Sequence, residues 1–187
     1  MDEMTSTPLE NIHILFVVDT GAIATWCKDN KIAPSQDPAK PTMLPAALNN
    51  SLRFICDSSR GIVSGQGAYN LNFKAKVSDV VSFVGASIEA NSNSAVIVYG
   101  FTKRSGADVF NPFHQNFVER DQAVVPTDGS GVPPARQKIS FASYDSSVKR
   151  PGVESFDLSF AQYYLKDDNQ TQELFGYFIW DPTITVS

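Results

Sequence analysis

Few cysteines, few histidines, no basic run and no long apolar stretch: each shortage in this 187-residue chain removes a class of function. The cysteines are Cys27 and Cys56 alone, and there are two histidines. A small secreted domain stapled by disulfides carries more cysteines than that, so both are expected to be reduced thiols. No Cys-x-x-Cys or His-x-x-x-His spacing occurs, and such spacings are what build a structural zinc site. No metal and no cofactor is expected. Lys+Arg number 15 against Asp+Glu 20, a net charge of -5 with no basic patch, so a nucleic-acid partner is not expected. The opening "MDEMTSTPLEN" is acidic and polar, unlike the basic-then-apolar start of a secretory signal. No apolar run approaches membrane-spanning length, so no membrane partner is expected and the cytoplasm is the expected location.

What is present favours sheets. Thirteen Phe and six Tyr accompany many β-branched residues. Residues 12–18 form an apolar run closed by Gly21, which reads as a buried strand. Residues 69–77 alternate, with Tyr69, Leu71, Phe73, Ala75 and Val77 on one face, as in a half-buried antiparallel strand. Residues 51–56, 79–88, 95–102, 138–144 and 155–165 read as further strands, the last with Phe156, Leu158 and Phe160 inward. Residues 174–180 read as an apolar final strand, with Pro182 expected to stop its ladder. Residues 28–45 hold prolines at 34, 38, 41 and 45 and read as a long surface loop. Residues 107–137 read as one or two short edge strands and another loop. The sum is an all-β, antiparallel β-sandwich of jelly-roll type, with about eight to ten strands and no convincing amphipathic helix. Residues 1–10 are expected to be a disordered lead-in and 11–187 a single domain.

The motif that invites chemistry is Asp19-Thr20-Gly21-Ala22, because aspartic proteases carry their catalytic carboxylate in Asp-Thr-Gly after an apolar strand. That chemistry needs two carboxylates sharing a proton. A second Asp-Thr-Gly or Asp-Ser-Gly is absent; Asp57-Ser58-Ser59 and Asp128-Gly129-Ser130 match only in part. A homodimer could supply a second Asp19, but the supporting apolar-apolar-Gly-polar segment is also missing, since Gly85 and Gly100 are followed by Ala86 and Phe101. The plainer expectation is that Asp19 accepts backbone N–H bonds in a turn. Ser64-Gly65-Gln66-Gly67 lacks the Lys-Ser/Thr of a phosphate loop and reads as a tight turn. Asp167-Asp168-Asn169 reads as a solvated turn rather than a calcium site. The aromatic loop around Phe113 and His114 suits a sugar ring, a subunit interface or ordinary packing equally well.

Three segments together resemble the bacterial AidA/PixA inclusion-body protein family. They are the opening 12–20, the central Val63-Ser64-Gly65-Gln66-Gly67 leading into 71–75, and the closing 176–186, "GYFIWDPTITV". Their order and distances span nearly the whole chain. The positions that match, Asp19, Thr20, Gly65, Gly67, Trp180, Asp181 and Pro182, are read as structural. The resemblance implies a small bacterial cytoplasmic protein that accumulates as inclusions, produced under population-density or growth-phase control in host-associated bacteria. It supplies no catalytic residues to carry over.

The first functional expectation is therefore a non-enzymatic, self-associating protein that forms a homo-oligomer. The second is a carbohydrate-binding sandwich, which predicts Trp26, Phe113 or His114 exposed in a concave pocket beside carboxylates such as Asp19 or Asp57. The third is a protease acting through Asp19.

Overall fold

The computed structural model describes residues 8–187. In chain order the elements are β1 (Asn11–Val18), α1 (Thr20–Asp29), β2 (Thr42–Met43), a 3-10 turn (Ala46–Ser51), β3 (Leu52–Cys56), β4 (Ile62–Ser64), β5 (Leu71–Phe73), β6 (Val80–Ser87), β7 (Ser94–Gly106), β8 (His114–Val125), β9 (Ala135–Ser147), β10 (Gly152–Leu165), β11 (Gln172–Trp180) and β12 (Thr183–Val186). They make two sheets. One runs β3-β1-β6-β9-β8. The other runs β2-β11-β10-β12-β5-β4, with β7 on the opposite side of β10. This is the β-sandwich that the alternating apolar pattern predicts, with twelve strands among the described residues. Most ladders are antiparallel, but β1–β6, β11–β2 and β12–β5 are parallel.

The two sheets meet through the alternate residues of their central strands. From β1 come Ile12, Ile14, Phe16 and Val18, and from β10 Phe156, Leu158 and Phe160, all buried. The Trp180 indole lies between Phe16 and Phe54 of the facing sheet, with ring centroids 5.2 and 5.4 Å away. A second aromatic cluster gathers Phe83, Phe101, Phe110, Phe113 and Phe156 at one end. Cys27 and Cys56 are both free and buried. Burial pushes the Cys27 thiol up, and pushes Cys56 up to about 11.

The structure departs from the sequence reading in several places. A helix, α1, follows β1 where none was expected. Ile23 and Cys27, four residues apart, face the core, and Ala22 and Trp26 flank them partly buried. Ten residues are too few to show helical periodicity plainly, and Gly21 and Thr25 lower the intrinsic propensity. The loop expected over 28–45 thus begins after Asp29, β2 interrupts it, and the 3-10 turn follows its end. The strand expected over 69–77 contracts to β5. Leu71, Phe73 and Ala75 are buried as predicted, but Tyr69 and Val77 are exposed. β5 also pairs in parallel with β12.

Pro182 does not stop a ladder. Leu158 pairs with Trp180 and Ser155 with Thr183 in one continuous register, and the Phe156 N–H donates to the Pro182 carbonyl at 3.0 Å. β11 and β12 are one line of strand that loses a single donor at the proline. Nor is β11 the last strand, since β12 follows. The short edge strand expected within 107–137 is a long one, β8 at the edge of its sheet, and with β9, which extends the strand expected over 138–144, it forms a long hairpin. Its sequence hid it because the strands carry polar residues on both faces. Of the lead-in, Met1–Thr7 lie outside the described residues. The remainder is tied down: the Glu10 N–H donates to Asp79 Oδ1 at 2.9 Å, and Arg60 Nη2 donates to the Pro8 carbonyl at 2.8 Å.

Candidate functional site

Asp19 sits where β1 hands over to α1, and its carboxylate has a structural task. Oδ1 accepts the Ala22 N–H at 3.0 Å, capping the first turn of the helix. Its own N–H donates to the Ser51 carbonyl at 2.8 Å. Thr20 is buried, with Oγ1 2.6 Å from Ser94 Oγ and its carbonyl accepting from Gln162 Nε2 at 3.1 Å. The turn expected at Asp19 is therefore a helix N-cap, and Thr20 ties that cap to the opposite sheet.

The glycine segment is also structural. The Phe54 N–H donates to the Ala68 carbonyl, the Gly67 N–H donates to the Phe54 carbonyl, and the Gln66 amide exchanges two hydrogen bonds with the backbone of Cys56. The segment thus completes the outer edge of β3. Gly65 has φ +86, and a Cβ there would collide with the Asn70 carbonyl. In the closing motif, Trp180 is buried and donates through Nε1 to Asn49 Oδ1 at 3.3 Å, while exposed Asp181 pairs with Arg104 at 3.0 Å.

The predicted ligand residues are not brought together. Trp26 is on α1, packed against the core. Asp57 is exposed after β3 and binds His13, accepting its N–H at 2.6 Å with Nδ1 3.0 Å away. His114 opens β8 in register with Asp145. Phe113 lines a concavity. That hollow, of about 450 Å³, is lined by Lys103, Asp108, Asn111, Phe113, Lys149 and Glu154.

Its polar groups are well defined. Asp108 pairs with Lys103 and lies 3.8 Å from Lys149 and 3.9 Å from Arg150, and the Lys103 hydrogen bond and charge hold its carboxyl below the usual range. Glu154 is buried and accepts the Val109 and Phe110 N–H groups at 2.7 and 3.2 Å. Burial raises its carboxyl, outweighing those two amides. Sequence reading missed this set because its members come from β7, the 107–113 loop, the turn before β10 and β10 itself. Ammonium, carboxylate and amide groups over aromatic rings can hydrogen-bond hydroxyls and stack a ring. Among the described residues, no group of three or more His, Cys, Asp or Glu side chains is placed to hold a metal ion. Asp168, from the acidic turn, uses Oδ1 to accept the Gln170 and Thr171 N–H groups.

A larger groove, about 510 Å³, lies where β6 and β9 part. Its lining is mostly apolar and includes Val84, Ile97, Val98, Phe117 and Phe141. Both hollows sit on one β-sandwich.

The family model of the PixA inclusion body proteins matches residues 10–186. The chain belongs to the PixA inclusion body protein family. A solved inclusion body protein of this family, from Burkholderia cenocepacia J2315, is similar at 29% identity and a TM-score of 0.79. The likeness covers 98% of this chain and 99% of that one. No curated protein matches. For a PixA-family chain, Asp19, Gly65 and Trp180 thus build the fold. Among the described residues no helix is long and apolar enough to cross a membrane.

Proposed function

We propose that this chain is a non-enzymatic, self-associating protein that packs into cytoplasmic inclusions in a host-associated or growth-phase-dependent setting. The observation that carries the reading is the family match over almost the whole chain, to a family described by its inclusion bodies. The surface supports it. Phe117, Val124, Val132 and Phe141 are large apolar side chains left exposed along one hairpin, Phe117 and Phe141 on its two opposite faces, and exposed apolar surface marks interaction sites. The structural tasks of Asp19 fit a protein without catalysis. Light scattering of the purified chain over a wide concentration range tests the reading. A mass that grows with concentration supports it, and a constant monomer mass removes it.

The hollow at Phe113 favours a second reading, carbohydrate binding. Lys103, Asp108 and Asn111 offer donors and acceptors beside an aromatic ring. A glycan array scored with wild type and Asn111→Ala tests it: signal lost in the variant supports it, and no signal in either removes it.

A further inference from the structure

The 450 Å³ hollow at Phe113 is lined by one buried carboxylate, Glu154, only 3% exposed. Both of its hydrogen bonds, from the Val109 and Phe110 N–H groups, go to Oε2. Oε1 accepts none among the described residues. It is not sealed either: the enclosed side-chain atoms without a partner are Glu10 Oε2, Asp157 Oδ1 and Gln162 Oε1. Oε1 therefore opens to solvent through the hollow that Glu154 lines. A polar atom at so buried a side chain is costly to leave without a partner. Asn111 adds a second open acceptor. Its Nδ2 donates to Ser147 Oγ at 2.9 Å, and its Oδ1 accepts from no group among the described residues.

The exposed side of the hollow carries donors. Asp108 faces three cations, Lys103, Lys149 and Arg150. Lys103 is committed to it by a direct hydrogen bond. Lys149 Nζ stays 3.8 Å away and donates to no protein atom among the described residues. One carboxylate among three cations leaves the group net positive, on a chain whose net charge is -5. A ligand ammonium is repelled there and a ligand carboxylate attracted. At Glu154 a ligand carboxylate is the wrong partner. A hydroxyl is the right one, because it donates to an ionised carboxylate and accepts from a protonated acid. Burial raises the Glu154 carboxyl, so a group that fits both states suits it. Phe113, partly buried, offers an aromatic wall to a ring.

We infer that this hollow binds an acidic sugar of the hexuronate class, with its carboxylate at Lys149, hydroxyls on Glu154 Oε1 and Asn111 Oδ1, and its ring against Phe113. The inference rests on the carbohydrate reading proposed above and names the class of sugar. Two open acceptors call for two hydroxyls, which selects a sugar over an acid with a single hydroxyl. The open ammonium selects an acidic sugar over a neutral one.

Isothermal titration calorimetry on the full chain tests this. The probes are glucuronate and galacturonate, their neutral parents glucose and galactose, and 4-hydroxybenzoate as a ring acid with one hydroxyl. At least one uronate is expected to bind about tenfold more tightly than its parent, the scale of one charge-assisted contact. Lys149→Glu is expected to abolish that preference. Lys138→Glu, the same charge change at an exposed site outside the hollow, is expected to keep it. Asn111→Ala is expected to weaken every sugar that binds. A neutral parent that binds as well as its uronate, or a preference that survives Lys149→Glu, overturns the acidic class and its placement while the carbohydrate reading stands. Binding of 4-hydroxybenzoate as tight as that of the uronates, or no binding by any of the sugars, overturns both.

Discussion

The Trp180 indole stacks on the Phe16 ring at 5.2 Å and 15°, joining β11 of one sheet to β1 of the other. The family-specific end of the chain is thereby fixed to its beginning through the middle of the core. Truncating a buried aromatic removes its transfer free energy and leaves a cavity, about 3–5 kcal/mol in all. Trp180→Ala is expected to lose that much in urea unfolding, and Trp180→Phe about 1 kcal/mol. Equal losses would show that the indole's bulk is not what is used.

Asp19 caps a helix, so its chemistry at the cap matters more than its charge. Asn caps about as well as Asp, whereas Ala does not. Asp19→Asn is expected to leave stability within a few tenths of a kcal/mol, roughly, and Asp19→Ala to cost about 1 kcal/mol. A catalytic Asp19 predicts instead a pepstatin-sensitive acid proteolysis that Asp19→Asn abolishes. Assays of wild type for that activity, beside the unfolding curves, separate the two.

Asp79 gives the fold an acid limit. Its fully buried carboxylate is penalised by burial, but the Arg60 hydrogen bond, the Lys76 and Glu10 amides and the Arg60 charge outweigh that and hold it at about 2. The folded value lies below the unfolded one, so the unfolded chain takes up the proton first as pH falls. The stabilisation is complete above about pH 4 and is lost as pH falls toward 2, a contribution of roughly 2 kcal/mol. Glu154 has the opposite sign, its carboxyl raised by burial, so protonating it favours the folded state. Asp79→Asn is expected to destabilise the protein by about 2 kcal/mol at pH 7, because it removes the buried partner of Arg60 and leaves that guanidinium only Glu10 at 3.3 Å as a counter-charge. It should also flatten the decline between pH 4 and 2. A decline as steep as in wild type would assign the acid limit to other groups.

Gly65 and Gly67 both have positive φ, at +86 and +73, but differ in room. A Cβ on Gly65 meets the Asn70 carbonyl, while one on Gly67 meets nothing within 4 Å. Gly67→Ala is expected to cost about 1 kcal/mol for the left-handed backbone alone. Gly65→Ala should cost more, because backbone must also shift. Thermal melting of the two variants checks the order.

The sheet content was legible because β1 is a continuous apolar run and β10 buries alternate residues, leaving a period of two in the sequence. The 114–147 hairpin was legible only in part, as a strand over 138–144 and short edge strands before it, since its exposed strands leave no such period. The helix α1 hid behind its short length. Its cap was nonetheless visible as an Asp at the end of a strand, read one element too early. Chemistry at Phe113 stayed hidden because Lys103, Asp108 and Glu154 join it only through the fold. The resemblance carried by 12–20, 63–75 and 176–186 proved the stronger guide, since those segments sit at the centre of the core or close its edges.

The account stands most directly on the mass of the dissolved chain. Multi-angle light scattering from low to high concentration is expected to show a mass that rises well above the 20.4 kDa monomer and falls back in the Phe117→Asp variant. A mass of 20.4 kDa at every concentration would contradict it.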